Sequence, residues 1–130
     1  MKKINYSDLT PNYLCSVFGE FENNIKDIAL ENADLPHCLF GYFFNPLLVK
    51  ILKSSDYSEN PLTAKIFDFY EQLAEYGDDE VKNLLQVTLL EYLWDDYTVY
   101  TRAIEMMGEC TKSINKKIEK YLYFPSKTQL

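Results

Sequence analysis

The residues able to do chemistry are few and scattered, and most are acids. Asp68, Glu71, Glu75, Asp78, Asp79, Glu80, Glu91, Asp95 and Asp96 put nine carboxylates into thirty positions, against the single cation Lys82. Carboxylates at that density can polarise water, hold a cation or attract a basic surface. The one histidine, His37, has the atoms of a general base or a metal ligand, and Cys38 beside it those of a nucleophile. Side chains adjacent in sequence rarely orient for proton transfer, so His37 reads first as a partly packed loop residue and Cys38 as a small buried hydrophobe. Glu91 falls at helical spacing between Leu84 and Val87 on an apolar helix and needs a partner there. Arg102, the sole arginine, is the expected one.

Phosphate loops, His-Glu-x-x-His metal sites, dinucleotide fingerprints and calcium-loop spacings do not occur. With four glycines the chain has few positions for the tight backbone such loops require. Catalysis, a metal and a cofactor are therefore not expected; binding is. The partner-binding candidates are Asp68, Glu71, Glu75, Asp78, Asp79, Glu80, Asp95, Asp96 and Tyr97. Tyr76, Tyr92, Tyr100 and Trp94 flank them as possible aromatic anchors.

Charge patterning sets the class of partner. The net charge is −7; residues 61–97 hold nine acids and two bases, and residues 98–130 three acids and six bases. An acidic middle disfavours nucleic acid, which needs phosphates neutralised, and favours a basic protein. Three dispersed cysteines without a Cys-x-x-Cys read as reduced thiols, and no apolar run is long enough to cross a bilayer, so a cytoplasmic protein is expected.

The elements that must position these residues are helices. Thr10-Pro11, Asn45-Pro46 and Asn60-Pro61 each place a side-chain acceptor before a proline, the pattern of an N-cap followed by the first helical residue. The first helix is predicted over about Pro11–Asn32, with Leu14, Val17, Phe18, Phe21, Ile25 and Ile28 on one face. An aromatic segment through Phe40, Tyr42, Phe43 and Phe44, irregular or in short helical turns and packed into the core, should precede a short helix from Pro46 to Lys53. A third helix over Pro61–Tyr76 sets Leu62, Ile66, Phe69 and Leu73 opposite Asp68, Glu71 and Glu75. Gly77 is expected to end it in a left-handed conformation, and Asp78 or Asp79 to cap a core helix over Val81–Trp94. A fifth helix begins at Asp95-Asp96 and ends at Gly108; a sixth spans about Lys112–Tyr123. The expectation is one all-α domain, a bundle of five to six helices in antiparallel hairpins, HEAT-like pairs included.

Leu35-Pro36-His37 through Gly41 and Asn45-Pro46, with Glu71-x-Leu73, Gly77-Asp78-Asp79-Glu80-Val81, Leu84-Leu85-Gln86-Val87 and Leu90-Glu91-Tyr92-Leu93, resembles small all-helical bacterial proteins associated with polymorphic-toxin loci. The resemblance spans most of residues 30–108. It implies an immunity protein that inhibits a toxin by binding, and it carries over no catalytic residues. A helical adaptor that inhibits nothing is the alternative, and an enzyme centred on His37 and Glu91 a third reading.

Overall fold

The computed structural model describes residues 3–121. Helices account for most of it: α1 (Pro11–Val17), α2 (Glu22–Asn32), α3 (Pro36–Lys53), α4 (Pro61–Tyr76), α5 (Asp79–Leu84), α6 (Tyr97–Met106) and α7 (Glu109–Glu119). The described residues thus form seven α-helices where about five to six helices were expected, in the expected all-α bundle. The only strand-like pairing among the described residues is one parallel bridge between Ile4 and Gly77.

Side-chain caps start four of these helices. Thr10 accepts from the N–H of Tyr13, Asn60 from Leu62, Asp78 from Val81 and Asp96 from Val99. Each occupies a donor that the first helical turn leaves free. The bounds of α4 are those predicted from its proline and its apolar stripe.

Several expectations are corrected. The first helix is two, because the chain breaks at Phe18 (φ −116°, ψ 55°) and passes through a 3-10 turn, Gly19–Phe21, before α2. Phe18 is fully buried, with its ring edge-on to Phe43, Phe44 and Phe69, so tertiary packing overrides local helical continuity. Secondly, no helix starts at Pro46. Pro36 starts α3, and the helix runs straight through Pro46. A proline there removes one backbone donor, four residues after Tyr42. Both residues lie on the exposed side of α3, where solvent can reach the freed carbonyl. Asn45 does not cap; it is buried, and its side chain bridges to another helix.

Gly77 supplies the third correction. Its backbone is extended (φ −72°, ψ 150°), not left-handed. Glycine is needed for a close approach: a Cβ at this position would strike the Leu73 carbonyl oxygen and lie 2.5 Å from Cγ1 of Val81. The N-terminal segment clips onto this turn, with the Ile4 N–H donating to the Tyr76 carbonyl and the Asp78 N–H to the Ile4 carbonyl, both at 2.9 Å.

The predicted core helix is present but not uniform. After α5 it widens into a π-helical segment, Leu85–Leu90, then tightens into a 3-10 turn, Glu91–Asp95. Val81, Leu84, Leu85, Leu89, Leu90 and Leu93 are all buried, as expected of a central element. Gly108 precedes α7 as its N-cap residue rather than ending α6, which stops at Met106. The described helix α7 ends at Glu119; the predicted last residues, Leu122 and Tyr123, lie outside the described residues.

Candidate functional site

The acids singled out by sequence divide into two groups once folded, those bound to the chain's own backbone and those facing outward. Glu71 belongs to the first. It lies on α4, and its two oxygens accept from the N–H groups of Cys110 and Thr111, each at 2.9 Å, and from the Thr111 hydroxyl at 2.8 Å. Glu71 therefore caps α7 from another helix, a task its own position on α4 does not reveal. Burial pushes its carboxyl upward, but these bonds outweigh that effect and hold it below the usual range. Asp78 likewise accepts from Val81 and from the N–H of Tyr6, which depress its pKa. Asp96 caps α6 and sits 4.0 Å from the ammonium of Lys53.

Asp68, Glu75, Asp79, Glu80 and Asp95 are exposed, and among the described residues none of them is in a salt bridge. Glu75 and Asp79 line one groove at the corner where α4 turns into α5, Glu80 follows Asp79 in the first turn of α5, and Asp68 lies two helical turns back from Glu75 along α4. Asp68 also accepts from the side-chain amide of Gln72 at 3.1 Å. Two lysines temper the corner: Lys3 and Lys82 line the same surface groove as Glu75, Asp78 and Asp79. Lys3 arrives there through the Ile4–Gly77 clip, which sequence reading did not foresee.

Asp95, Asp96 and Tyr97 are not part of this corner. They sit at the far end of the helical stretch that Asp79 opens, roughly 24 Å away at 1.5 Å per residue. Tyr97 is 44% exposed. Trp94, expected as an anchor, is buried instead; its indole N–H donates to the Asn115 amide oxygen at 3.3 Å, and Asn115 donates to the Tyr100 hydroxyl at 3.1 Å. Burial, tempered by the Asn115 bond, pushes the Tyr100 phenol up to about 12.

The expected Glu91–Arg102 pair does not form. Glu91 accepts from the Tyr121 hydroxyl, and Arg102 donates to the Leu52 and Ser54 carbonyls at the end of α3 while stacking over the Tyr57 ring. His37 and Glu91 consequently do not converge. His37 Nδ1 lies 2.5 Å from Thr88 Oγ1 in the π segment, at the edge of a groove that Glu91 does not line. The cysteines are free thiols, as the spacing indicated. Glu71, Glu75 and Cys110 bring their ligand-type atoms within 4.8 Å of one another, but both Glu71 oxygens are already committed to α7.

Residues 11–123 match the family described as a domain of unknown function, DUF7674. The chain belongs to that family. The DUF7674 match runs from the first residue of α1 to beyond the end of α7, so it encloses the exposed acids of the corner and the His37 groove alike. Lys3 and Ile4 precede it. No curated protein and no solved structure matches the chain. No helix among the described residues is long and apolar enough to cross a membrane.

Proposed function

We propose that this chain is a non-catalytic binding protein, an immunity protein that neutralises a basic toxin domain by holding it at the α4–α5 corner. The carrying observation is the division among the carboxylates. Glu71, Asp78 and Asp96 are occupied by helix caps, whereas Glu75, Asp79 and Glu80, at and just after the α4–α5 turn, and Asp68, two turns back on α4, are exposed without a salt bridge among the described residues. Outward-facing acids on a helical frame gain most from a cationic partner, because docking replaces mutual repulsion by attraction. Asp95 and Tyr97, at the other end of the helix, do not belong to this contact.

The test uses the gene beside the one encoding this chain. If its product arrests growth when expressed alone, co-expression of this chain should restore growth, and Asp79→Lys with Glu80→Lys should fail to do so while remaining folded. Asp78 is left in place so that the α5 cap survives. Full protection by the reversed variant would refute the corner. A neighbour with no effect on growth would favour an adaptor role.

A further inference from the structure

A second feature of the molecule is unrelated to its acids. Between α3 and the π segment lies an open groove of about 440 Å³, and no Asp, Glu, Lys or Arg lines it although the chain carries −7. Tyr42 projects from α3 and Tyr92 from the turn after the π segment; both line the groove, and they remain 60% and 45% exposed. Large aromatic side chains left in water beside a groove are a cost unless something stacks on them. The floor is polar at one point. Asn45, 9% exposed, donates from Nδ2 to the Thr88 carbonyl at 3.1 Å. A carbonyl can only accept, so Nδ2 faces Thr88 and Oδ1 has no protein donor but is open to water, on a residue that lines the groove. His37 holds the adjoining wall, its Nδ1 bonded to Thr88 and its Nε2 unengaged.

We propose that this groove binds a small, uncharged, flat nitrogen heterocycle, stacked on Tyr42 and Tyr92 and donating a ring N–H to Asn45 Oδ1. Each part of the description follows from a wall of the groove. The tyrosine faces select a π-system over an aliphatic chain. The Asn45 acceptor, which no protein donor reaches and which stays open to water, selects an N–H over a plain hydrocarbon, since a ligand that displaced its water without replacing that bond would lose affinity. The absence of a lining lysine or arginine selects a free base or indole over a nucleotide, whose phosphate would meet no cation. The π segment fits the same picture. Such insertions in helices are frequent at functional sites, and this one carries both Thr88 contacts, to His37 and to Asn45.

Titration of the full chain with indole, 1-methylindole and adenine, followed by backbone amide NMR shifts, tests the proposal. Indole or adenine should give saturable shifts centred on Gly41, Thr88 and Tyr92. Whichever of the two binds tighter identifies the ring class. 1-Methylindole, which keeps the ring and loses the N–H, should bind up to about tenfold more weakly than indole, the size of effect expected for one hydrogen bond. Methylating the ligand probes Asn45 without disturbing the Asn45–Thr88 bridge. Tyr42→Ala, at an exposed position, should weaken indole or adenine about tenfold with the fold intact. Equal affinity for indole and 1-methylindole, or no saturable shift with indole or adenine up to millimolar concentration, would overturn it.

Discussion

At the α4–α5 corner, charge is abundant and much of it is committed: Glu71 and Asp78 bond to backbone N–H groups, Lys3 and Lys82 share a groove with Glu75 and Asp79, and Asp79 and Glu80 face outward. At the α3–π groove no Asp, Glu, Lys or Arg is present, and the exposed features are two tyrosine rings and an amide oxygen. A partner read by the corner should respond steeply to salt, since exposed charges are screened within about 10 Å at 0.1 M ionic strength. A ligand read by the groove should be nearly indifferent to it. Counting acids along the chain describes the corner's charge, but only the fold distinguishes carboxylates that build the protein from those that can meet another molecule.

The contrast is sharpest at the glycines. Gly77→Ala at the corner should destabilise by about 3 kcal/mol, because a Cβ there meets backbone and Val81 with no room to give. Gly41→Ala in the groove should change stability by less than about 1 kcal/mol. There the helix gains an alanine, while the new methyl comes within 3.1 Å of the Thr88 methyl. Thermal and denaturant unfolding of the two variants measures the difference directly.

Next in size is Glu71→Ala, which removes the acceptor for two N–H groups and a hydroxyl on α7 and should lower stability by about 2 kcal/mol. The same carboxylate predicts the acid limb of stability. Its folded pKa lies below its ordinary value of 4.5, so the unfolded chain takes up the proton first as pH falls. Its contribution is complete above 4.5 and is lost as pH drops through the folded value. Unfolding free energy should therefore decline below pH 4.5, less steeply in Glu71→Gln than in the native chain.

The smallest effect concerns the core between the two regions. The Tyr70 hydroxyl is buried and has no hydrogen-bond partner, and desolvation pushes its pKa far up. Tyr70→Phe should be neutral or stabilising by up to about 1 kcal/mol, since it deletes an unsatisfied polar atom and keeps the ring. A clear loss of stability in that variant would show that the hydroxyl is satisfied in solution.

Local signals in the sequence carried much of the fold. Thr10, Asn60, Asp78 and Asp96 cap the helices their neighbours indicate, because capping is settled within a few residues. The apolar helix from Val81 is the core because nearly every face of it is hydrophobic. Illegible features are those decided by partners distant in the chain. Asn45 looks like a cap and instead reaches Thr88, Glu71 looks like a surface acid and instead caps α7, and Phe18 breaks a regular amphipathic pattern to enter an aromatic cluster. The groove was missed for the same reason, since Tyr42 and Tyr92 become neighbours only when α3 packs on the π segment. The one available signal was Asn45-Pro46 within a run otherwise apolar and aromatic.

The central claim is that the outward acids of the α4–α5 corner hold a basic protein partner. The decisive measurement is calorimetric affinity for the purified product of the neighbouring gene, in inactive form if it arrests growth, compared between Asp79→Lys with Glu80→Lys and Tyr42→Ala with Tyr92→Ala. The account predicts that charge reversal weakens binding roughly a hundredfold, the scale of about 2.7 kcal/mol expected when attraction becomes repulsion, while loss of the tyrosines leaves it unchanged. Undiminished binding after charge reversal, with binding lost on removal of the tyrosines, would contradict it.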